Sequence, residues 1–516
     1  MLSAEEDEEP TTYTQAMSHP HWQAAIQSEI DSITKNQTWD IIDRPPNCIP
    51  ITAKWLFKIK KNGEHTKLKA RIVARGFQQR EGLDYQDIFA PVVRWSTIRT
   101  IVALAAKNNW PLHQLDVCTA FLNGNLNEDV IMEIPDGFPC AGNPLKVCKI
   151  KRALYGLKQA PKAWYARIDA WLISQGLTRS QYDPNLYFST KNGKRTFILL
   201  YVDDLLITGD DFDFIAQLKA ALKREFEMTD LGDANIYLGA EIHRGPHGIL
   251  LTQSHYIKKL LDKFGLTTCN PSLLPMDPNL TLQKDMSSEF ADPELYRSLV
   301  GSLIYLTNTR PDICYAVSNV ARYMAAPQIP HYQAAKRILR YLRGTADFGL
   351  LFPSNNSELL HTYTDADWGR DIDTRRSTSG ILHKLGSAPI FWTSRLQPTV
   401  SLSSTEAEYR VLTDASKDII YFRNLLLEIG VNISNPTPIL TDNQSSIKLV
   451  DNRVMHTRTK HIGIQQHFIR ETALEGHIQV HFTPTASQQA DFLTKPLHLN
   501  KFISNRASVG ITRALP

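Results

Sequence analysis

Two adjacent aspartates, Asp203 and Asp204, lie between the apolar runs FILL and LLITG. Carboxylates placed side by side at the tip of a buried hairpin are electrostatically costly unless a cation neutralises them. Mg²⁺ suits such a position because it binds one or two carboxylates together with substrate phosphates. Asp116, at the end of HQLDV, offers a third carboxylate. If the two strands converge, the three acids could form a two-metal site for phosphoryl transfer. A plain surface turn is the alternative, because Asp-Asp is common in turns.

A second set of acids lies in the last third of the chain. Asp365 ends the alternating run LLHTYTD, and Asp442 ends TPILTD. Glu408 lies in the predicted helix SSTEAEYRVLTDAS, where Glu406 competes with it, and Asp491 lies in ASQQADFL. Strand ends and helix faces that meet at one edge could present four carboxylates to two Mg²⁺ ions. Spacing alone does not select these four, because any domain of this size carries several acids.

Apolar periodicity predicts the elements that must position these acids. FILL and LLITG predict two strands that pivot on the aspartates, and LHQLD predicts a strand that enters a turn. AKWLFKIKKNGEHTKLKARIVARG predicts two basic strands around a turn at Asn62-Gly63. HPHWQAAIQSEIDSITKN predicts an amphipathic helix, and RALYGLKQAPKAWYARIDAWLISQG predicts a helix interrupted at Pro161. Helical spacing continues from Tyr296 to Gly344. The polar stretch FPSNNSE then marks a boundary before an α/β domain of about 150 residues.

Composition bounds the class of protein. The 516 residues, 42% of them hydrophobic, allow about three domains. Charged residues at 21% exclude a largely disordered chain, and six cysteines without a Cys-x-x-Cys exclude a disulfide scaffold. The acidic start MLSAEEDEEP is not a secretory signal, and the longest apolar runs are too short to span a bilayer. We therefore expect an intracellular multidomain protein that does not interact with membranes.

The formal net charge of +4 conceals an uneven distribution of charge. Residues 1–10 hold five acids and no base, whereas residues 54–80 hold nine Lys or Arg and a single acid, Glu64. Such a basic run is either a solvated face or a surface that binds phosphates.

Several stretches of the sequence resemble the reverse transcriptase and ribonuclease H portion of copia-type (pseudoviral) LTR-retrotransposon Pol polyproteins, and they occur in the same order. The resemblance is colinear from about Trp22 to about Phe502. It lies in KARIVARGFQQREGLDYQDIFAP (69–91), LDVCTAFLNG (115–124), LYGLKQAPKAWY (154–165), YVDDLLITG (201–209), LVGSLIYLTNTRPDICYAV (299–317), YTDADWG (363–369), SSTEAEY (403–409), HTRTKHI (456–462) and ADFLTKPL (490–497).

The resemblance implies an α+β and α/β multidomain fold. After an acidic disordered tail (1–15), it implies the fingers and palm of a right-hand polymerase over 16–260. A helical thumb and connection over 261–355 would precede a ribonuclease H-like α/β domain over 356–516.

The resemblance also implies the roles of individual residues. Asp116, Asp203 and Asp204 match the polymerase metal-binding triad, and Phe121 matches the aromatic steric gate under the sugar of the incoming nucleotide. Lys69 and Arg71 resemble finger residues that hold the triphosphate. Gln159 resembles a glutamine that contacts the incoming nucleotide and the template. In the last third of the chain, the residues that match the ribonuclease H carboxylates are Asp365, Glu408, Asp442 and Asp491.

The implied activity is RNA- and DNA-templated DNA synthesis, with cleavage of the RNA strand of the resulting RNA–DNA hybrid. It would need two Mg²⁺ ions per site, with Mn²⁺ as an alternative. The implied partners are an RNA template, a DNA primer, the hybrid and deoxynucleoside triphosphates, and the family also allows association with integrase or self-dimerisation. The implied location is the cytoplasm, in a virus-like particle, or the nucleus.

The sequence departs from the family pattern in one respect. Many ribonucleases H carry a histidine in a loop shortly before the last aspartate, but here HFTPTASQQAD has none after Phe482. His461 and His481 are the candidates, and a structural role is open for both. Cys140 and Cys148 have the wrong spacing for a zinc knuckle or an integrase zinc site, and no Asp-Ser/Thr-Gly protease triplet occurs.

Two other interpretations stay open at this point. The chain could be a catalytically silent retrotransposon remnant or a co-opted nucleic-acid-binding protein, although acids at all seven positions argue against simple decay. A plain two-metal nuclease would leave residues 16–260 without a role.

Overall fold

The computed structural model describes residues 9–62, 65–451 and 463–513. Within these ranges, no helix is both long enough and apolar enough to cross a bilayer. The chain combines antiparallel sheets, helices and a mixed sheet, so the predicted α+β and α/β multidomain class is confirmed.

The N-terminal region packs two helices against a long hairpin and a small sheet. Trp22, Ile26 and Ile33 lie on one face of the second helix and are buried, as the sequence predicts. The Trp22 ring meets the Phe57 ring edge-on, with the centroids 5.4 Å apart. The elements are α1 (Tyr13–Met17), α2 (Pro20–Lys35), β1 (Trp39–Asp43), β2 (Ala53–Asn62), β3 (His65–Ala74), β5 (Asn125–Met132) and β6 (Lys146–Arg152), with β2 paired to β3 and a sheet of order β1-β6-β5.

A six-stranded antiparallel sheet forms the centre of the first half. Side chains alternate across it: Leu205 and Ile207 pack against the fourth and fifth helices, whereas Leu206 packs on the side of the third. Both faces are therefore buried, which explains the unbroken apolar run LLITG. The elements are α3 (Trp95–Lys107), β4 (Leu112–Val117), α4 (Ala160–Ser174), β7 (Thr178–Arg179), β8 (Leu186–Lys191), β9 (Lys194–Tyr201), β10 (Asp204–Gly209), α5 (Phe212–Glu225) and β11 (Met228–Asp233), in the sheet order β11-β4-β10-β9-β8-β7.

A third sheet connects distant parts of the chain. Its strands come from residues 236–252, 348–353 and 511–513, so it joins three of the four segments expected from the sequence. The boundaries at residues 260 and 355 stay predictions. The elements are β12 (Ile236–Tyr237), β13 (Ala240–Gly245), β14 (Gly248–Thr252), α6 (Ser254–Lys263), α7 (Pro293–Leu306), α8 (Cys314–Ala321), α9 (Ile329–Gly344), β15 (Phe348–Pro353) and β21 (Ile511–Arg513), in the sheet order β12-β13-β14-β15-β21.

The C-terminal region is a five-stranded mixed sheet with helices, and its strands and helices alternate as the sequence predicts. Three antiparallel strands are followed by two that run parallel to the first of them. The elements are β16 (Leu360–Ala366), β17 (Thr378–Leu385), β18 (Ala388–Leu396), α10 (Ser404–Glu428), β19 (Thr437–Thr441), α11 (Gln444–Asp451), α12 (Gly463–Leu474), β20 (Ile478–Phe482) and α13 (Leu499–Ser508), in the sheet order β18-β17-β16-β19-β20.

Two local findings differ from the sequence prediction or add to it. Pro161 does not interrupt a helix but lies in the first turn of α4, where its missing N–H is tolerated, so residues 153–159 are a loop. In the expected acidic tail, residues 1–8 lie outside the described ranges, and α1 overlaps residues 13–15.

The six-stranded sheet with its helices is joined to the C-terminal region by polar contacts. The guanidinium of Arg99 donates to the carbonyls of Ile390 (2.9 Å) and Asn308 (2.8 Å) and stacks on the Trp392 ring at 3.8 Å. The Glu428 carboxylate accepts from the backbone N–H of Gln181 at 2.8 Å. These contacts hold the C-terminal region against the third helix and the loop between β7 and β8.

Candidate functional sites: two clusters of carboxylates

The first cluster lies where β4 meets the β9–β10 hairpin. Asp204 at the start of β10 pairs with Asp116 near the end of β4. The backbone N–H of Val117 donates to the Asp203 carbonyl at 2.9 Å, so the turn residue is also tied to β4. The structure therefore brings Asp116, Asp203 and Asp204 to one edge of the sheet, and all three are half-buried.

The turn that carries Asp203 has an unusual backbone. Val202, the first of its two central residues, has φ of 55°, a conformation that hairpin turns normally give to glycine. A β-branched residue there is a genuine outlier, with a cost of about 1–3 kcal/mol that surrounding structure must offset. The indole N–H of Trp164 in α4 donates to the Val202 carbonyl at 2.6 Å.

Three side chains group beside this cluster. The rings of Phe121 and Tyr155 lie 5.0 Å apart, and the Arg71 guanidinium lies 4.2 Å from the centre of the Tyr155 ring. Burial raises the pKa of Tyr155 to about 12, and nearby Asp203 and Asp116 add to the shift. Tyr155 is thus a site residue that sequence analysis missed, although its stretch LYGLKQAPKAWY was noted.

A close backbone crossing holds Tyr155 next to the β2–β3 hairpin. The N–H of Ala74, at the end of β3, donates to the Tyr155 carbonyl at 2.7 Å. Gly156 has φ of 90°, and a Cβ added there would lie 2.1 Å from the Ala74 carbonyl oxygen. Only glycine fits this position without a shift of the backbone. Lys69 and Arg71, two residues apart on β3, share one face of that strand.

Gln159 lies in a different environment from the one its assigned role implies. Its side chain is 2% exposed, its oxygen accepts from Gln79 Nε2 at 3.0 Å, and its Nε2 donates to the Asp84 carbonyl at 2.9 Å. The amide therefore ties the 76–87 loop to the start of α4. Its contact with nucleotide and template stays a prediction.

The second cluster lies at the edge of the C-terminal sheet. Asp365 in β16, Glu408 in α10 and Asp442 after β19 each offer an oxygen, and these atoms all lie within 4.8 Å of one another. Asp365 is 2% exposed and Glu408 is 5% exposed. Glu408 Oε1 accepts from the Ala366 N–H at 3.2 Å, whereas Oε2 is buried without a hydrogen-bond partner among the described residues. Converging carboxylate oxygens with an unsatisfied buried atom fit a hard divalent cation.

Burial makes these acids costly to ionise. It raises the pKa of Asp365 to about 6 and the pKa of Glu408 well above its ordinary value, and neighbouring carboxylates add to both shifts. Glu406, the competing residue, faces elsewhere: its carboxylate accepts from the Leu402 N–H at 2.8 Å and pairs with Arg410 at 2.7 Å. The geometry therefore favours Glu408 over Glu406 as a member of the cluster.

Asp491 lies beside the second cluster but is paired with two lysines. Lys495 Nζ lies 2.7 Å from Asp491 Oδ1 and 3.4 Å from Asp365 Oδ2, and Lys501 pairs with the other oxygen of Asp491. Burial lowers the pKa of Lys495, but the charges of Asp365 and Asp491 outweigh burial and hold it above its ordinary value. Sequence analysis missed both lysines, although Lys495 stands in the noted stretch ADFLTKPL.

The two histidine candidates receive no assignment. His481 is exposed on β20, and His461 lies outside the described residues together with the rest of HTRTKHI. Their roles stay predictions.

Comparison with known proteins identifies the family. Residues 36–278 match the family model described as reverse transcriptase (RNA-dependent DNA polymerase). The chain is 40% identical over 518 residues to the retrovirus-related Pol polyprotein from transposon RE1 of Arabidopsis thaliana, covering 100% of this chain and 35% of that protein. It is 34% identical to the putative transposon Ty5-1 protein of Saccharomyces cerevisiae, covering 59% of this chain and 100% of that protein. A foamy viral protease-reverse transcriptase in complex with dsDNA is 14% identical, with a TM-score of 0.48 over 90% of this chain and 83% of that one.

The family-model match assigns residues 36–278 to the reverse transcriptase class. The chain belongs to the family of retrovirus-related Pol proteins of copia-type transposons, and the resemblance noted from the sequence is confirmed. It spans about a third of the length of curated Pol relatives such as that of transposon RE1.

Proposed function

We propose that the chain is an RNA-directed DNA polymerase that also copies DNA templates, extending a DNA primer with deoxynucleoside triphosphates. The observation that carries this proposal is the pairing of Asp204 with Asp116 beside the turn at Asp203. Membership of the reverse transcriptase family supports it. When bound there, two Mg²⁺ ions, or Mn²⁺ in their place, would activate the primer 3′ hydroxyl and stabilise the leaving pyrophosphate.

The side chains around the first cluster would select and hold the nucleotide. Arg71 and Lys69 would attract the triphosphate, because both are cationic residues of one strand face beside the cluster. Phe121, packed against Tyr155, would close the space under the sugar and exclude a 2′-hydroxyl. The carboxylates of Asp116, Asp203 and Asp204 would hold the metals.

We propose that the second cluster hydrolyses the RNA strand of RNA–DNA hybrids. Asp365, Glu408 and Asp442 would hold divalent metal, since their oxygens converge within 4.8 Å. Asp491 would belong to the same site, with Lys495 and Lys501 balancing its charge. The coupling of the two activities is physically sensible, because the first site makes the hybrid that the second consumes.

Primer extension tests the first proposal. The protein should extend a DNA primer on an RNA template and on a DNA template in the presence of Mg²⁺, and chelation should stop both reactions. Asp116→Asn should lose extension while it binds template as the wild type does, because the carboxylate serves metal binding rather than phosphate contact. Extension by Asp116→Asn at the wild-type rate would contradict the assignment.

Labelling the RNA strand of a hybrid tests the second proposal in the same tube. Shortened RNA fragments should accumulate with Mg²⁺ and should be absent after chelation. Intact RNA in a reaction that extends primers normally would contradict the ribonuclease H assignment alone.

A further inference from the structure

The aspartate at the centre of the first cluster is held by its backbone from two sides. Asp203 stands between two planar peptide units. On one side its carbonyl accepts from the Val117 N–H at 2.9 Å, next to Asp116. On the other side the carbonyl of Val202 accepts from the indole N–H of Trp164 at 2.6 Å. This carbonyl and the Asp203 N–H belong to the same peptide plane. The position of Asp203 relative to Asp116 therefore depends on both hydrogen bonds.

The second of these hydrogen bonds acts on a strained residue. Val202 has φ of 55°, which a β-branched side chain disfavours, so the turn relaxes readily unless another group holds it. The peptide bond between Val202 and Asp203 is the part of the turn that such relaxation would rotate. Rotation of that peptide plane would move Asp203 away from Asp116.

The donor is well placed to hold the turn. Trp164 is 1% exposed, and its ring meets the Phe226 ring edge-on with the centroids 5.4 Å apart. Gly124 packs closely on the same turn of α4, since a Cβ added there would lie 2.7 Å from the Trp164 nitrogen. A buried tryptophan whose N–H finds one partner orients that partner, because the ring cannot move without losing its packing.

We propose that Trp164 is a positioning residue for DNA synthesis: its indole N–H fixes the Val202–Asp203 peptide so that Asp203 faces Asp116. Trp164 acts through Val202 and does not touch substrate. The inference rests on the proposed polymerase function and goes beyond the assignment of the three carboxylates.

The matched test compares two tryptophans of the same helix. Trp164→Phe keeps an aromatic ring against Phe226 but removes the donor. Trp171 also packs edge-on against Phe226, at 5.5 Å, so Trp171→Phe is a control for loss of ring area. In primer extension, Trp164→Phe should lower kcat by about tenfold, the effect of one lost hydrogen bond, with the KM for nucleotide nearly unchanged. Trp171→Phe should extend primers as the wild type does.

A second variant distinguishes positioning from general stability. Glycine adopts positive φ without steric cost, so Val202→Gly should reduce the need for the hydrogen bond. Adding Val202→Gly to Trp164→Phe should therefore restore most of the lost kcat. A purely structural loss in the core beneath α4 would not respond to a change in the turn.

Binding of Mn²⁺ gives a measurement that does not require primer extension. The measurement uses protein that carries Asp442→Asn, so that the second cluster has lost one of its carboxylates. In this protein, electron paramagnetic resonance of free Mn²⁺ should show Mn²⁺ binding at the first cluster. Adding Asp203→Asn should weaken that binding. Trp164→Phe should weaken it by about tenfold and Trp171→Phe should not. Equal Mn²⁺ binding by Trp164→Phe and Trp171→Phe, or equal kcat, would overturn the proposal.

If the variants bind Mn²⁺ in this pattern but the protein does not extend primers, only the proposed polymerase function is contradicted.

Discussion

The two carboxylate clusters differ in how the fold holds negatively charged side chains close together. The first is assembled from a hairpin turn and the neighbouring strand, and Asp116, Asp203 and Asp204 stay half-buried at the edge of the sheet. The second is assembled from a strand, a helix and two loops far apart in the chain, and Asp365 and Glu408 are almost completely buried.

The difference in burial has an electrostatic consequence. The half-buried carboxylates of the first cluster still contact water until a metal binds, whereas the second cluster must lower its own charge. It does so by raised pKa values at Asp365 and Glu408 and by the ammonium groups that pair with Asp491. Under the proposed function, one chemistry, metal-assisted phosphoryl transfer, is served by two different arrangements of carboxylates. The first stores backbone strain, and the second stores buried charge.

The largest expected effect separates the clusters by activity. Asp442→Asn should reduce cleavage of RNA in a hybrid by on the order of a thousandfold, because loss of a metal ligand removes several kcal/mol of transition-state stabilisation. Primer extension should change little. Asp414→Asn, the same change at an exposed acid of α10, is the matched control for quenched-gel assays of both activities. Loss of extension together with cleavage would mean that the clusters do not act separately.

A smaller effect concerns the sugar at the first cluster. Phe121→Val opens a gap of several carbon atoms beside Tyr155, so ribonucleotide incorporation should rise by on the order of a hundredfold relative to deoxynucleotides. Nucleotide competition measures the ratio, and thermal melting measures the accompanying loss of stability, about 1–4 kcal/mol. Phe138, which like Phe121 is partly buried against the core of the N-terminal region, provides the control Phe138→Val. If Phe121→Val is less stable but its selectivity for deoxynucleotides over ribonucleotides is unchanged, Phe121 belongs to the core and not to the nucleotide site.

The third effect tests the buried charge of the second cluster. Burial raises the pKa of Asp365 to about 6, so its contribution to stability is fully present below about pH 4 and is lost as pH rises through about 6. Asp365→Asn stays neutral at every pH. In metal-free buffer it should be more stable than the wild type at pH 8 by about 1–3 kcal/mol, and the difference should shrink toward pH 4.

Denaturant unfolding with chelator present measures this difference. Addition of Mg²⁺ should stabilise the wild type more than Asp365→Asn, because binding to the folded state is linked to stability. A stability difference that does not depend on pH would show that Asp365 is not protonated in the metal-free protein.

The smallest effect concerns the basic β2–β3 hairpin. Replacing Lys58, Lys60 and Lys61 with Ala should weaken template binding uniformly across sequences. It should also reduce the slope of log affinity against log salt by about one unit for each template phosphate that the variant no longer neutralises. The matched control replaces Lys146, Lys149 and Lys151 of β6, each paired with an aspartate. An unchanged slope in the first triple variant would show that these lysines only form a solvated face.

The sequence predicted what local pattern determines. The hairpin around Asp203, the α2 helix and the order of strands and helices after residue 360 all follow from periodicity over a few residues, and the structure confirms them. The resemblance supplied the choice of Asp365, Glu408, Asp442 and Asp491 among many acids, and the structure brings the first three together.

What the sequence did not predict depends on interactions between distant residues. Trp164 on α4 donates to the carbonyl of Val202 in the β9–β10 turn. Tyr155 contacts Phe121 and Arg71 because Gly156 allows its backbone to pass close to that of Ala74. The pairing of Lys495 and Lys501 with Asp491 spans only four and ten residues, but residues 491–498 are a 3-10 turn and irregular chain with no helical or strand period. Periodicity carries no information on such interactions.

The most direct test of the account measures both activities of Asp203→Asn on one substrate. A labelled DNA primer on a labelled RNA template reports extension and RNA cleavage in the same reaction, and Asp213→Asn in α5 controls for the loss of one exposed acid. We expect Asp203→Asn to lose extension by on the order of a thousandfold and still to cleave RNA in a preformed hybrid. Extension at the wild-type rate, or loss of both activities in folded protein, would contradict it.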